Sequence, residues 1–225
     1  MIVEIEDVLD GGTLSRFRDA LDQAPWADGK VTAGYQSALA KNNLQLPQDD
    51  ATARALGGEI QSALARNLLF QSAGLPAEVF PPLFNRYGVG HGFGAHVDNA
   101  LRPLPEGGRM RTDLSATLFL SDPEAYDGGE LVIEDTFGSH AIKLKAGSMI
   151  LYPATSLHSV TPVTRGVRTA AFFWVRSVIP DDGRRAILFD MDLAIQGLRG
   201  AVGDTHPSLI ALTGCYHNLV RQWAV

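Results

Sequence analysis

A change of texture near residue 78 constrains the fold more than any other feature. Short apolar runs of β-forming residues, separated by turn signals, fill 79–87, 93–97, 113–120, 130–135, 140–144, 148–152, 158–163 and 167–175. Asp127-Gly128-Gly129 and Phe137-Gly138-Ser139 are turn sequences, because glycine and small polar residues supply the backbone angles that reverse a chain. A closely spaced series of short strands predicts a double-sheet jelly roll.

Helical periodicity governs both ends. Asp10 is placed to cap a helix over 12–24, in which Leu14, Phe17 and Leu21 share one face and which Pro25 stops. Residues 30–40 read as extended. Pro47-Gln48-Asp49-Asp50 opens a second helix reaching about residue 70, with Leu56, Ile60, Leu64 and Leu68 on one stripe. After Pro180, residues 183–199 repeat apolar side chains at helical spacing, among them Ile187, Leu188, Met191, Ile195 and Leu198. His206-Pro207 opens a last helix with Leu209, Leu212, Tyr216, Leu219 and Trp223. The expected architecture is mainly β with flanking helices, an α+β chain. It has a support region over 1–77, a jelly-roll core over 78–177 and a helical region over 178–225.

The 225 residues suffice for one sizeable core, and 45% apolar with 20% charged residues is an ordinary soluble balance. A formal net charge of −6 argues against a nucleic-acid partner held by a basic surface. Cys215 is the single cysteine, so no intrachain disulfide is expected, and it reads as a small buried apolar residue. The acidic start MIVEIEDVLDGG has neither a basic nor an apolar leader region, and no stretch is apolar enough to span a membrane. A reducing, cytoplasmic compartment is the expectation.

Inside the β region stand His96 and Asp98, then His158, then Arg168. Residues i and i+2 of a strand face the same side, so His96 and Asp98 can both point into a barrel mouth. Two imidazoles and one carboxylate occupy one face of a divalent ion and leave positions open, the ligand set of non-haem Fe(II) oxygenases. Zinc hydrolases also use two histidines and a carboxylate, but need no arginine at this place. Arg168 shares its strand face with Ala170, Phe172 and Trp174. A guanidinium there needs an anion, and a bidentate carboxylate suits its planar fork. A pairing with Asp113 is the structural rival. The Tyr87 hydroxyl could donate to the same carboxylate, and a core tyrosine is the rival there. Segment 99–111, with Arg102, Arg109 and Arg111, reads as a substrate loop with a basic rim or as a plain connector. His91, His140, His206 and His217 are not expected to be ligands, and Arg165 and Arg176 are expected at the surface.

Taken together, Tyr87-x-x-Gly90-x-x-Phe93-x-x-His96-x-Asp98, the GGEL run at 128–131, and His158 followed by Arg168 resemble the Fe(II)- and 2-oxoglutarate-dependent dioxygenases of the prolyl/lysyl hydroxylase type. LFDMDLAIQGLR at 188–199 and LTGCYHNLVRQWA at 212–224 extend the likeness to the bacterial PKHD-type hydroxylases along the whole chain. The resemblance implies a double-stranded β-helix core, with His96, Asp98 and His158 as iron ligands and Arg168 on 2-oxoglutarate. It implies hydroxylation of an unidentified substrate by O₂, with 2-oxoglutarate decarboxylated to succinate and CO₂. Halogenases of this class lack the carboxylate ligand, so Asp98 favours hydroxylation. The family also suggests L-ascorbate as an aid to keeping iron reduced, and a link to iron uptake. Two other readings stand beside it: a non-catalytic jelly-roll module that senses iron or a 2-oxo acid, and an iron or zinc enzyme without a cosubstrate. Self-association through the C-terminal helices is a further expectation, beside their simpler use as cover for a sheet.

Overall fold

In the computed structural model, residues 1–32, 40–136 and 138–225 are described. Most of the segment read as extended over 30–40 lies outside them, as does Phe137. Residues 30–32 belong to a 3-10 turn, Gly29–Thr32, rather than a strand.

Two antiparallel sheets form the centre. Among the described residues the larger sheet has eight strands, in the order Val3–Ile5, Met149–Pro153, Leu114–Phe119, Arg168–Ser177, Leu83–Tyr87, Leu44–Gln45 and Ala27–Asp28, with Pro76–Val79 also on Arg168–Ser177. The smaller sheet runs Gly138–Ile142, Leu131–Asp135, His158–Val160, Gly92–His96 and Lys41–Asn42. Neighbours are therefore mostly distant in sequence, as in a jelly roll.

The long strand Arg168–Ser177 shows why its sequence is apolar on both faces. Ala171, Phe173 and Val175 join the main core, whose opposite side is Leu14, Phe17 and Leu21 of helix Gly11–Asp22 and Leu56, Ile60 and Leu64 of helix Ala51–Arg66. The alternate face carries Arg168, Phe172 and Trp174 into the space between the sheets. Tyr87, Phe119, Leu131, Ile133, Ile150, Tyr152 and Val160 fill the closed part of that inner layer. One face thus supplies the core that holds the helices, and the other builds a cavity.

Local signals placed the helices well. The Asp10 side chain accepts from the Thr13 N–H at 2.8 Å, and Asp50 accepts from Thr52 and Ala53, so both caps are as the sequence predicts. The second helix ends earlier than its periodicity suggests. Asn67 leaves helical geometry and its side chain caps a separate helix, Leu68–Gly74, by accepting from the Phe70 N–H at 2.9 Å. Leu68 consequently leaves the stripe and is 82% exposed. The run 79–87 is divided because Phe80, Pro81 and Pro82 lie between two strands, and proline cannot donate to a ladder. Segment 99–111, read as a substrate loop or a connector, has regular structure. It folds as a hairpin of Leu101–Pro103 against Arg109–Arg111.

Helices Asp182–Val202 and Pro207–Trp223 cover the C-terminal end. Leu188, Phe189 and Ile195 are buried in the first and Leu209 in the second, while Ile187, Leu198 and Leu212 face outward. Cys215 is exposed, contrary to the expectation of burial. Only one face of a peripheral helix meets the protein, and residue 215 lies off that face. No described helix is long and apolar enough to cross a membrane.

The GGEL turn has a structural reason as well. Gly128 and Gly129 have φ of 69° and 64°, a region favourable only to glycine. A Cβ on Gly128 would lie 2.1 Å from the Pro162 carbonyl oxygen, and one on Gly129 would lie 3.1 Å from the Arg168 Cδ. Gly128→Ala should therefore destabilise the fold by at least ~2 kcal/mol, from left-handed strain plus a backbone clash. Chemical denaturation checks this, and a loss below ~0.5 kcal/mol would contradict the assigned turn.

Candidate active site

His96 ends the strand Gly92–His96, and His158 starts the neighbouring strand His158–Val160. Their Cα atoms are register partners, so the two imidazoles lie side by side with ring centroids 4.3 Å apart. The ladder shifts between His158 and Val160, an irregularity of the kind that re-aims side chains beside functional sites. Asp98 follows two residues after His96. Its Oδ2 lies 3.8 Å from the His158 Nε2. One ligand atom from each of the three residues lies within 4.8 Å of the others, and this is the metal-competent grouping found among the described residues.

The surroundings prepare these groups for a cation. His96 Nδ1 is 2.8 Å from the Gly94 carbonyl and His158 Nδ1 is 3.0 Å from the Ser156 carbonyl. Each Nδ1 donates there, which leaves each Nε2 with a free lone pair. Burial, reinforced by neighbouring His158, lowers the His96 pKa, which favours the neutral imidazole a metal requires. His96 also stacks on Phe93 at 3.7 Å, and Tyr152 meets His158 edge-on at 5.3 Å. Ser115 donates to the Asp98 Oδ2 at 2.5 Å and fixes the carboxylate. Partners of this kind orient ligands, so Ser115→Ala should weaken Fe(II) affinity about 10–100-fold with the fold intact. Anaerobic metal titration reads this, and unchanged affinity would remove Ser115 from the site.

Arg168 lies in the wall opposite, on the larger sheet. It is 1% exposed, its Cα is paired with that of Tyr87, and its guanidinium lies 5.2 Å from the centroids of both the Tyr87 and Phe119 rings. Its Nε and Nη1 are buried with no hydrogen-bond partner. Asp113, the rival partner, instead pairs with Arg111 at 2.7 Å. A buried guanidinium with unmet donors is unfavourable unless an anion enters. Burial raises the pKa of the Tyr87 and Tyr152 phenols, so both remain O–H donors at neutral pH. The cavity thus offers two nitrogens and a carboxylate for a metal at one place, and an unfilled cation with phenol donors further along. That donor set fits Fe(II) together with a dicarboxylate such as 2-oxoglutarate.

The remaining histidines lie elsewhere. His91 accepts from the Gly88 N–H, His140 pairs with Asp135 at 2.9 Å, and His206 caps the last helix by accepting from Ser208. Arg165 is exposed and holds Asp127, while Arg176 is only partly exposed, beside Glu78. Two cavity residues were not singled out from the sequence. Lys41 is 5% exposed, and Arg102 lies on the hairpin with its Nε buried and unpartnered. Arg102 stood in the basic segment 99–111 but was indistinguishable from Arg109 and Arg111. Lys41 gave no sequence signal, because it lies outside every run read as a β-strand of the jelly roll and enters the cavity only through its pairing with Gly92–His96.

The geometry agrees with what the chain is similar to. Residues 82–176 match the 2OG-Fe(II) oxygenase superfamily, and residues 182–224 match the PKHD-type hydroxylase C-terminal domain. A PKHD-type hydroxylase of Caulobacter sp. (strain K31) is 61% identical over 225 residues, covering 100% of this chain and 99% of that one. Another, from Methylobacterium nodulans, is 58% identical over 225 residues with the same coverage. Among solved structures, a Pseudomonas putida prolyl-4-hydroxylase superposes with a TM-score of 0.54 at 18% identity, over 78% of this chain and 92% of that one. A Trichoplax adhaerens prolyl hydroxylase, in complex with a hypoxia inducible factor peptide, gives 0.58 at 14% identity, over 83% and 86%. These two likenesses concern the fold, a jelly roll shared with 2-oxoglutarate oxygenases. With near-complete coverage at this identity, the chain belongs to the PKHD-type hydroxylases, Fe(II)- and 2-oxoglutarate-dependent dioxygenases.

Proposed function

We propose that His96, Asp98 and His158 hold the Fe(II), that Arg168 binds the distal carboxylate of 2-oxoglutarate, and that Tyr87 donates to the same carboxylate. The observation that carries this reading is the buried Arg168 with Nε and Nη1 unpartnered, in the same cavity as a His–Asp–His cluster. When bound, the iron with 2-oxoglutarate would use O₂ to turn a C–H bond into an alcohol, one oxygen atom entering the alcohol and the other the succinate that forms with CO₂.

The chain's own part is placement. Arg168 offers a bidentate fork and so sets the depth at which the cosubstrate lies. Gly129, having no side chain, leaves room for the Arg168 stem. Ser115 donates to the Asp98 Oδ2, the oxygen that lies 3.8 Å from the His158 Nε2, and so holds the carboxylate toward the two imidazoles. Phe93, Phe172 and Trp174 surround the mouth with apolar surface and limit water there.

The test is anaerobic reconstitution with Fe(II) and 2-oxoglutarate, followed by visible absorption. A weak metal-to-ligand charge-transfer band should form in the wild type and be absent in His158→Ala. No band with iron bound would sink the cosubstrate assignment. Succinate release separates catalysis from iron or 2-oxo acid sensing, and membership of an enzyme family favours catalysis. The substrate belongs to iron acquisition on this reading, which rests on the family resemblance; induction of the transcript by iron limitation checks it. Self-association through the C-terminal helices is supported by outward Ile187, Leu193 and Ile210, and a monomeric mass by light scattering would overturn it.

A further inference from the structure

Arg168 is not the only cation in the cavity. Arg102 reaches in from the Leu101–Pro103 hairpin strand and lies over Trp174, its guanidinium carbon 3.8 Å from the ring centroid. It forms no ion pair among the described residues, and its Nε is buried without a hydrogen-bond partner. Lys41 enters from the edge strand of the smaller sheet. Its Nζ lies 5.7 Å from the Phe93 centroid and 5.9 Å from that of Phe172, and it donates to the Gln45 Oε1 at 2.7 Å. Phe172 and Trp174 are in edge contact at 5.6 Å, so the two cations flank one aromatic wall.

Both cations line the same cavity. Burial and then the charge of Arg102 bring the Lys41 pKa down to about 8, with Asp28 offsetting only part of this. The unmet donor is on Arg102, whose buried Nε an incoming anion would satisfy, and Lys41 adds positive charge to the same cavity. Asp98 draws on Arg102 electrostatically, yet lies beyond ion-pair distance and is engaged by Ser115.

Position separates this pair from the cosubstrate arginine. Trp174 and Arg168 are six residues apart on one strand, a span of roughly 20 Å at 3.3 Å per residue. A five-carbon dicarboxylate cannot join both ends. Ser115, which holds Asp98, is the register partner of Trp174, so Arg102 lies at the level of the metal ligands and away from Arg168.

We propose that Arg102 and Lys41 form a substrate subsite that takes a carboxylate borne on an apolar body, laid along Phe93, Phe172 and Trp174. The subsite rests on the assignment of Arg168 to 2-oxoglutarate and of His96, Asp98 and His158 to iron. The substrate is thereby an apolar carboxylic acid, held by its charge at the level of the metal ligands and away from Arg168, with its reacting carbon short of the carboxylate.

The experiment uses the anaerobic Fe(II)–2-oxoglutarate holoenzyme and its charge-transfer band. Benzoate, phenylacetate and 3-phenylpropionate are each titrated against the corresponding amide. At least one acid should shift the band saturably at a concentration ten or more times lower than its amide. Arg102→Gln and Lys41→Gln should each weaken that acid at least tenfold while 2-oxoglutarate still generates the band, and Arg102→Lys should keep the preference for acid over amide. Equal binding of acids and amides, or no shift with any acid, overturns the subsite. So does loss of the band in strict competition with 2-oxoglutarate, which would place the acids at Arg168. Weakened iron binding in Arg102→Gln would make Arg102 a counter-charge to Asp98 and also overturn it. A wild-type enzyme that binds iron but never forms the band overturns the cosubstrate assignment and the subsite with it, a result separate from the others.

Discussion

Arg168→Met will raise the KM for 2-oxoglutarate about 10²–10³-fold and will not lower the melting temperature of the metal-free protein. Both halves follow from the same burial. Arg168 is 1% exposed, with Nε and Nη1 unpartnered and its carbon stem against Gly129. Losing one partner of a buried, hydrogen-bonded charge pair weakens binding by about 2–5 kcal/mol. At about 1.4 kcal/mol per tenfold, that brackets the expected change. Among the described residues no acid pairs with this guanidinium, so an apolar side chain of similar length removes a desolvation penalty. The contacts with Tyr87 and Phe119 at 5.2 Å offset part of this gain. Succinate formation against 2-oxoglutarate concentration and a thermal melt are the two measurements. An unchanged KM with a melting temperature several degrees lower would make Arg168 a structural residue.

Asp98→Ala will abolish succinate formation and reduce Fe(II) affinity by more than the 10–100-fold expected for Ser115→Ala. The carboxylate is the one anionic member of the cluster, and its loss leaves two neutral imidazoles facing the ion. The variant will not unfold. Asp98 lies beyond the end of its strand, is only partly buried, and its hydrogen bond is to a serine hydroxyl that can turn to other acceptors. Asp98→Glu is the informative companion. It keeps the charge but displaces it by one methylene, which breaks the 2.5 Å bond from Ser115, so partial metal binding with little turnover is expected. Full turnover by Asp98→Ala would show that the carboxylate ligand is another residue.

Much of this was legible in the sequence because it is local. Asp10 and Asp50 announce helix starts through bonds made within three residues. The alternation along 167–175 places Arg168, Phe172 and Trp174 on one strand face whatever lies opposite. The i, i+2 spacing of His96 and Asp98 fixes their common side in the same way. Local pattern can also mislead: helical periodicity continued through Asn67, although a side chain that bonds the backbone ahead of it ends one helix there and starts another.

Pairing across distance was not legible. His158 meets His96 because two strands far apart in sequence share a register, and that register is set by the packing of both sheets. Arg102, Arg109 and Arg111 are alike in sequence, yet the hairpin sends Arg102 onto Trp174, gives Arg111 to Asp113 and leaves Arg109 exposed. Lys41 becomes a cavity residue only because an edge strand pairs with Gly92–His96. The sequence by itself determined the strand faces, the helix starts and the kinds of residue able to bind iron and a dicarboxylate. Tertiary structure decided which of those residues share one cavity and that Arg168 keeps unpartnered donors there, because burial and charge pairing are properties of the packed chain.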